Sequence, residues 1–192
     1  LDSSPDGKEI AFIIIKGNSS NIYTMPINGG QPKQLTFLNS YCKNLAWSPD
    51  GNKIVFGYIE DGINQLKIVD LHHGTIKKLD GLHPSISFGL SWHPYDKILY
   101  QIPENRNFYV LDSSTEERTE LLKDDSVGWG FEPSFSQDMN YLSLTWNHIE
   151  GAGLWLIPIL NGILEEKNAK RINSCDCYTI GWSKDGSLIY TA

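Results

Sequence analysis

One tetrapeptide returns along this chain at nearly even intervals: Ser4-Pro5-Asp6-Gly7, Ser48-Pro49-Asp50-Gly51, His93-Pro94-Tyr95-Asp96, Ser136-Gln137-Asp138-Met139 and Ser183-Lys184-Asp185-Gly186. The starts are 44, 45, 43 and 47 residues apart. That period fits one four-stranded propeller blade and is too long for ankyrin or leucine-rich units.

The segments before each tetrapeptide end in an aromatic residue: Trp47, Trp92, Phe135 and Trp182. Each aromatic follows a small residue, Ala46, Ser91, Ser134 or Gly181, and the period of two sends the pair to opposite sheet faces. A blade packs on neighbours at both faces, so a bulky residue on one face needs a shallow partner opposite. This segment is read as the innermost strand, and the tetrapeptide as the hairpin turn that leads to the second. Pro5 and Pro49 preset the first central torsion, and Gly7 and Gly51 accept the positive φ that closes the turn. Second strands are expected at 9–16, 53–59, 98–102, 141–146 and 188–191, and third strands at 21–27, 65–71, 107–111 and 153–159. Turn residues such as Asn28-Gly29-Gly30 and Asn161-Gly162 then lead to more polar outer strands, as an edge requires.

The expected architecture is an all-β propeller of four-stranded antiparallel blades, an arc of about four and a half blades from a six-bladed or larger ring. Residues 1–192 form one partial propeller domain with blades at 1–38, 39–82, 83–126, 127–174 and 175–192. The first blade is expected to lack its innermost strand and the last to keep only its inner two. Further blades of the full-length chain are therefore expected partners, and the chain is read as opening in mid-repeat at Leu1.

Composition narrows the partners. A net charge of -7 opposes nucleic acid and anionic membrane, because affinity for phosphate comes from clustered Lys and Arg. The longest apolar run, 10–15, is far short of a bilayer span, so no membrane insertion is expected. Cys42, Cys175 and Cys177 make no Cys-x-x-Cys pair, which disfavours zinc and a disulfide framework.

The run from Ser4-Pro5-Asp6-Gly7 through Asn21-Ile22-Tyr23-Thr24-Met25-Pro26-Ile27-Asn28-Gly29-Gly30 to Thr36 resembles the Ser-Pro-Asp-Gly repeat of TolB-like, or WD-repeat-like, propellers. The resemblance covers the chain and weakens in the third and fourth units, where the turn glycine is lost. It implies a bacterial protein-binding scaffold, often periplasmic or otherwise extracytoplasmic, with no catalytic residue. The same repeat also resembles the substrate-gating propeller of prolyl-oligopeptidase-type serine peptidases, whose catalytic groups lie in a separate domain, and a metal-dependent propeller lyase is a further alternative.

The residues themselves show no enzyme constellation. A serine hydrolase needs Gly-x-Ser-x-Gly. Gly89-Leu90-Ser91-Trp92-His93 comes nearest, and it carries His93 in place of the second glycine. His72 and His73 fall in a turn, while His83 and His93 flank one inner strand, the arrangement on which the lyase alternative depends. Asp6, Asp50 and Asp185 sit on separate blades as turn residues, too far apart to work as an acid and base pair. No cofactor and no metal are expected.

Strand direction alternates within a blade, so the loops from second to third strand share a face with the connections between blades. Those loops carry varied aromatic and charged side chains on a rigid frame, which is what a binding surface requires. Candidate binding residues for a protein or peptide are Tyr41, Lys43, Phe88, Arg106, Trp129, Glu132 and Tyr178, at this face or at the central channel.

Overall fold

A computed structural model describes residues 1–79, 89–102, 105–123, 128–174, 179–183 and 185–191. The first sheet runs in the order β1 (Asp2–Ser3), β2 (Glu9–Lys16), β3 (Ser19–Pro26) and β4 (Lys33–Gln34), and the second in the order β5 (Cys42–Trp47), β6 (Lys53–Glu60), β7 (Ile63–Asp70) and β8 (Ile76–Lys78). The third holds β9 (Ser91–His93), β10 (Lys97–Gln101), β11 (Phe108–Asp112) and β12 (Arg118–Leu122). In the fourth, β13 (Gly128–Phe135) and β14 (Tyr141–His148) lead to β15 (Gly151–Leu160), which pairs with both β16 (Ile163–Leu164) and β17 (Lys170–Asn173). A final pair joins β18 (Thr179–Trp182) to β19 (Leu188–Tyr190). Every pairing is antiparallel, and among the described residues the only helix is one 3-10 turn, Glu166–Asn168. No helix among them is long and apolar enough to cross a membrane.

Two details differ from the expectation. The first unit does not lack its innermost strand: Asp2 and Ser3 pair with Ala11 and Ile10, and the Asp2 carboxylate accepts the Trp47 N–H at 2.9 Å. That bond ties the inner strands of two successive sheets, and it went unnoticed because two residues are too few to show a period. The fourth unit carries a strand beyond the expected four. Asn161 and Gly162 both take positive φ, 52° and 78°, which matches the right-handed strand twist and lets the hairpin continue into β16 before the chain turns out to β17.

The sheets stack through three apolar seams. Trp47 packs with Ala11, Ile22, Ile54 and Phe56 between the first and second sheets. Trp92 meets Ala46, Val55, Leu66 and Tyr100 between the second and third. Phe135 joins Leu99, Phe108, Leu144 and Trp146 between the third and fourth. The expected pairing of large against small is realised, since Trp92 shares its seam with Ala46 of the preceding sheet. Trp47, Trp92 and Phe135 are buried, whereas Trp182 is half-buried and donates its indole N–H to the Ser134 carbonyl at 3.2 Å.

Each Ser-x-Asp turn is closed by its own side chains. The serine hydroxyl donates to the aspartate at 2.7 Å in Ser4–Asp6, 2.5 Å in Ser48–Asp50, 2.7 Å in Ser136–Asp138 and 2.5 Å in Ser183–Asp185. The same serine oxygen accepts the N–H of Glu9, Lys53, Tyr141 or Ser187, the first residue of the returning chain. The aspartate also accepts the N–H two residues on, at Lys8, Asn52, Asn140 and Ser187. Bonds from Ser4 and Lys8 hold the Asp6 carboxyl down at about 2, and those from Ser183 and Ser187 do the same for Asp185. The aspartates are thus turn residues, as expected. Gly7 and Gly51 take φ of 70° and 73°, and Met139 takes 58° in the glycine's place.

The third unit departs from this design. His93 stands where the other units have serine, and its Nε2 lies 2.7 Å from Ser91 Oγ with the ring edge-on to Phe135 at 4.9 Å. Tyr95 and Asp96 both have positive φ, so a different two-residue hairpin replaces the clamp. Burial keeps the imidazole neutral and pushes its pKa down to about 4.

Two measurements check these packing arguments. Trp47→Ala is expected to cost about 3 to 5 kcal/mol in denaturant unfolding; a loss under about 1 kcal/mol would show that the seam does not depend on this ring. For His93 the unfolded chain binds the proton first, so stability is full above the ordinary histidine pKa of 6.5 and falls as pH drops through about 4. The expected decline is on the order of 3 kcal/mol across that window, and a His93→Gln variant, which cannot titrate, should lose that part of the slope.

Candidate interaction surface

The inner strands carry a recurrent kink on the loop-rich side. Asn44, Gly89 and Glu132 each stand three residues before the strand's aromatic, and each has positive φ, at 44°, 68° and 54°. Pairing slips beside two of them, between Lys43 and Leu45 and between Phe131 and Ser134. The extra residue is a β-bulge, which bends a strand and re-aims the side chains ahead of it. Gly89 and Asn44 adopt this conformation readily. Glu132 is held in it by the surrounding sheet, half-buried, and burial raises its carboxyl pKa above the usual range.

Beyond each bulge, the loop from second to third strand of one sheet leans on the entry to the next sheet's inner strand. In the first such seam the buried Ser20 hydroxyl accepts the Cys42 N–H at 2.7 Å and lies 3.0 Å from the Cys42 carbonyl, while the Tyr41 hydroxyl reaches the Gly17 carbonyl at 3.3 Å. Lys43 extends into solvent beside it. At the seam of the third and fourth sheets the buried Gln101 amide donates to two carbonyls, Arg106 at 2.8 Å and Gly130 at 2.9 Å. One side chain therefore fixes the Arg106 loop to the strand bearing Trp129. The Arg106 guanidinium lies over the Trp129 ring at 5.1 Å, and Trp129 packs on Phe131 at 5.4 Å.

Of the candidate residues, Arg106 and Trp129 are brought into contact, with Glu132 at the bulge of the same strand. Tyr41 and Lys43 belong to the seam of the first two sheets and do not join that cluster. Phe88 and Tyr178 lie outside the described residues, as do His83, Cys175 and Cys177. Sequence reasoning missed Gln101 and Ser20, which bind the seams, while Phe131 extends the aromatic platform beside Trp129. A glutamine inside the apolar run Ile98-Leu99-Tyr100-Gln101-Ile102 was the available signal. Among the described residues no group of three or more His, Cys, Asp and Glu could hold a metal ion.

The chain is 37% identical over 138 residues to a TolB homologue of Chlorobium chlorochromatii, an alignment covering 69% of this chain and 30% of that protein. Its fold superposes on TolB from Acinetobacter baumannii with a TM-score of 0.74 at 19% identity, covering 96% of this chain and 46% of that one. The chain belongs to the TolB-like β-propellers. No protein-family model matches the sequence. This TolB-like chain is also 28% identical over 131 residues to an oligogalacturonate lyase of Dickeya dadantii, covering 65% of the chain and 32% of the lyase. The propeller domain of the trilobed protease from Pyrococcus furiosus shares the fold with a TM-score of 0.65 at 18% identity, over 98% of this chain and 60% of that domain. The chain spans about a third of the length of the TolB homologue and the lyase.

Gln101→Leu keeps the side-chain volume and leaves the buried Gly130 carbonyl without its donor. The expected cost is about 1 to 3 kcal/mol in denaturant unfolding, with faster hydrogen exchange in the 105–107 segment. Unchanged exchange there would show that Gln101 does not fix the Arg106 loop.

Proposed function

We infer that this TolB-like propeller is a binding scaffold that holds a protein or peptide partner at its loop-rich rim. The observation that carries this reading is the cluster of Arg106, Trp129 and Phe131, fixed from beneath by Gln101. A cation stacked on an indole, backed by a second ring, is the composition of an interface anchor, and its prior fixation lowers the ordering cost of binding. Tyr41 and Lys43 place a second aromatic residue and cation at the seam of the first and second sheets, which extends the surface along the stack of sheets. With Arg106 and Lys43 presented on a chain of net charge -7, the partner segment is one that brings carboxylates alongside apolar side chains. Binding works here by display on a rigid frame and requires no chemistry from the rim. Further blades of a longer chain are proposed to cover the outer face of the first sheet, where Phe12 stacks on Tyr23 at 6.2 Å.

The names of the lyase and peptidase relatives raise the question of catalysis by this chain. Ser91 and His93 are its only serine and histidine at hydrogen-bond distance among the bonds described, yet His93 is buried edge-on to Phe135 in a packing seam. The pair supports packing better than nucleophilic attack.

A random-peptide display library panned on the protein provides the test. Selected peptides should be rich in acidic and apolar residues, and Arg106→Ala or Trp129→Ala should each weaken their binding at least tenfold, while Lys33→Ala on an outer strand leaves it unchanged. Peptides whose affinity ignores both rim substitutions would refute the assignment.

A further inference from the structure

The two units that lose the turn glycine are adjacent, and both altered turns border one recess. It lies on the face opposite the loop-rich rim, between the third and fourth sheets, with a volume of about 540 Å³. That is the size range of small-ligand sites. Its floor is apolar: Val110 and Leu121 from the third sheet meet Phe135 and Ile159 from the fourth. Met139 completes the wall, and it occupies the place that holds glycine in the first two units and the last. A glycine there would leave the recess open.

The rim is polar and carries one carboxylate, Asp138, beyond the paired Lys97 and Asp112. Lys97 is paired with Asp112 at 2.7 Å, so its charge is already met. Asp138 is held by Ser136 and by both the backbone and side-chain N–H groups of Asn140. Thr119 and Asn161 line the same edge and make no side-chain hydrogen bond among those described. Tyr95 stands over the mouth, 79% exposed.

Left-handed backbone also borders this recess. Tyr95, Met139 and Asn161 all line it, with φ of 60°, 58° and 52°. For Tyr and Met this conformation is uncommon and costs free energy, and such outliers persist where the surrounding structure imposes them, often at ligand sites. All three lie in hairpin turns, and Tyr95 and Met139 close theirs in a conformation that the glycines of the other turns adopt without strain.

We propose that this recess is a binding site for a small uncharged ligand that carries an apolar ring and a hydrogen-bonding edge of amide or hydroxyl groups. The ring sits on the floor against Met139 and Leu121 and under Tyr95. The polar edge meets Asn161, Asn140 and Thr119, which together offer donors and acceptors. An anion is disfavoured by the carboxylates of Asp138 and Asp112 near the rim, with the one lysine already paired.

The test uses N-acetylphenylalanine methylamide as the neutral probe, N-acetylphenylalaninate as its anionic counterpart and cellobiose as a ligand with hydroxyls and no apolar ring. Binding is followed by NMR chemical-shift perturbation of the intact chain. The neutral probe should shift residues at the recess saturably, the anion should bind at least tenfold more weakly, and cellobiose should not bind. Met139→Gly restores the turn glycine and removes the wall, and Tyr95→Ala removes an exposed ring, so thermal melts should show both variants folded while affinity falls at least fivefold. No saturable shift with the neutral probe, equal binding of the anion or cellobiose, or unchanged affinity in a folded Tyr95→Ala protein would overturn the proposal.

Discussion

A sheet with two apolar faces cannot be buried by a single neighbour, and that constraint organises this chain. Val55 faces the third sheet while Ile54 and Phe56 face the first, so adjacent residues of one strand serve two different seams. The repeat is the solution: each sheet covers the next, and an inner-strand aromatic fills each seam. Stability is therefore shared along the stack, and neither the second nor the third sheet can be removed without exposing both of its neighbours. The rim and the recess both exist because these seams are rigid enough to hold side chains in fixed places above and below them.

The turns and the loops divide the labour between the two faces. On one face a serine and an aspartate close each hairpin, and where that pair is broken in the third unit the neighbouring turn keeps the clamp and gives up its glycine. On the other face the inner strands are bulged at Asn44 and Glu132, and the loops that lean on them are fixed by buried Ser20 and Gln101. The same stack of sheets thus presents a face of tight turns and a bent, varied one. Their chemistry differs accordingly: turn aspartates border an apolar recess on the first, and Arg106 stacks on Trp129 on the second.

The fold was legible because its signals are periodic. The tetrapeptide fixed the phase of every hairpin, and the alternation at Ala46-Trp47 or Ser134-Phe135 assigned the faces before any coordinate was known. What stayed hidden has no period. The two-residue strand at Asp2–Ser3 depends on a bond to Trp47, more than forty positions away, and the added strand β16 depends on the handedness of one turn. The site was partly readable: Arg106 and Trp129 are conspicuous by type, but their contact is made by Gln101, whose role requires knowing that residues 106 and 130 adjoin. Tyr41 and Lys43 look equivalent to that pair in sequence and lie at a different seam. Bulges were read as plain strand, since a residue such as Glu132 gives no hint of a left-handed backbone.

The serine and aspartate clamp has a consequence for how such chains change over time. Its first and third positions supply the hydroxyl and the carboxylate, and the second contributes no side-chain bond to the closure. Pro5, Pro49 and Gln137 fill that second place in turns of otherwise matching geometry. A tolerated position thus recurs in each unit that keeps the clamp, at the tip of a rigid hairpin and on the same face. Mutation can explore charge, size and shape at those tips without disturbing the closure of the hairpins, and a new surface can arise one blade at a time.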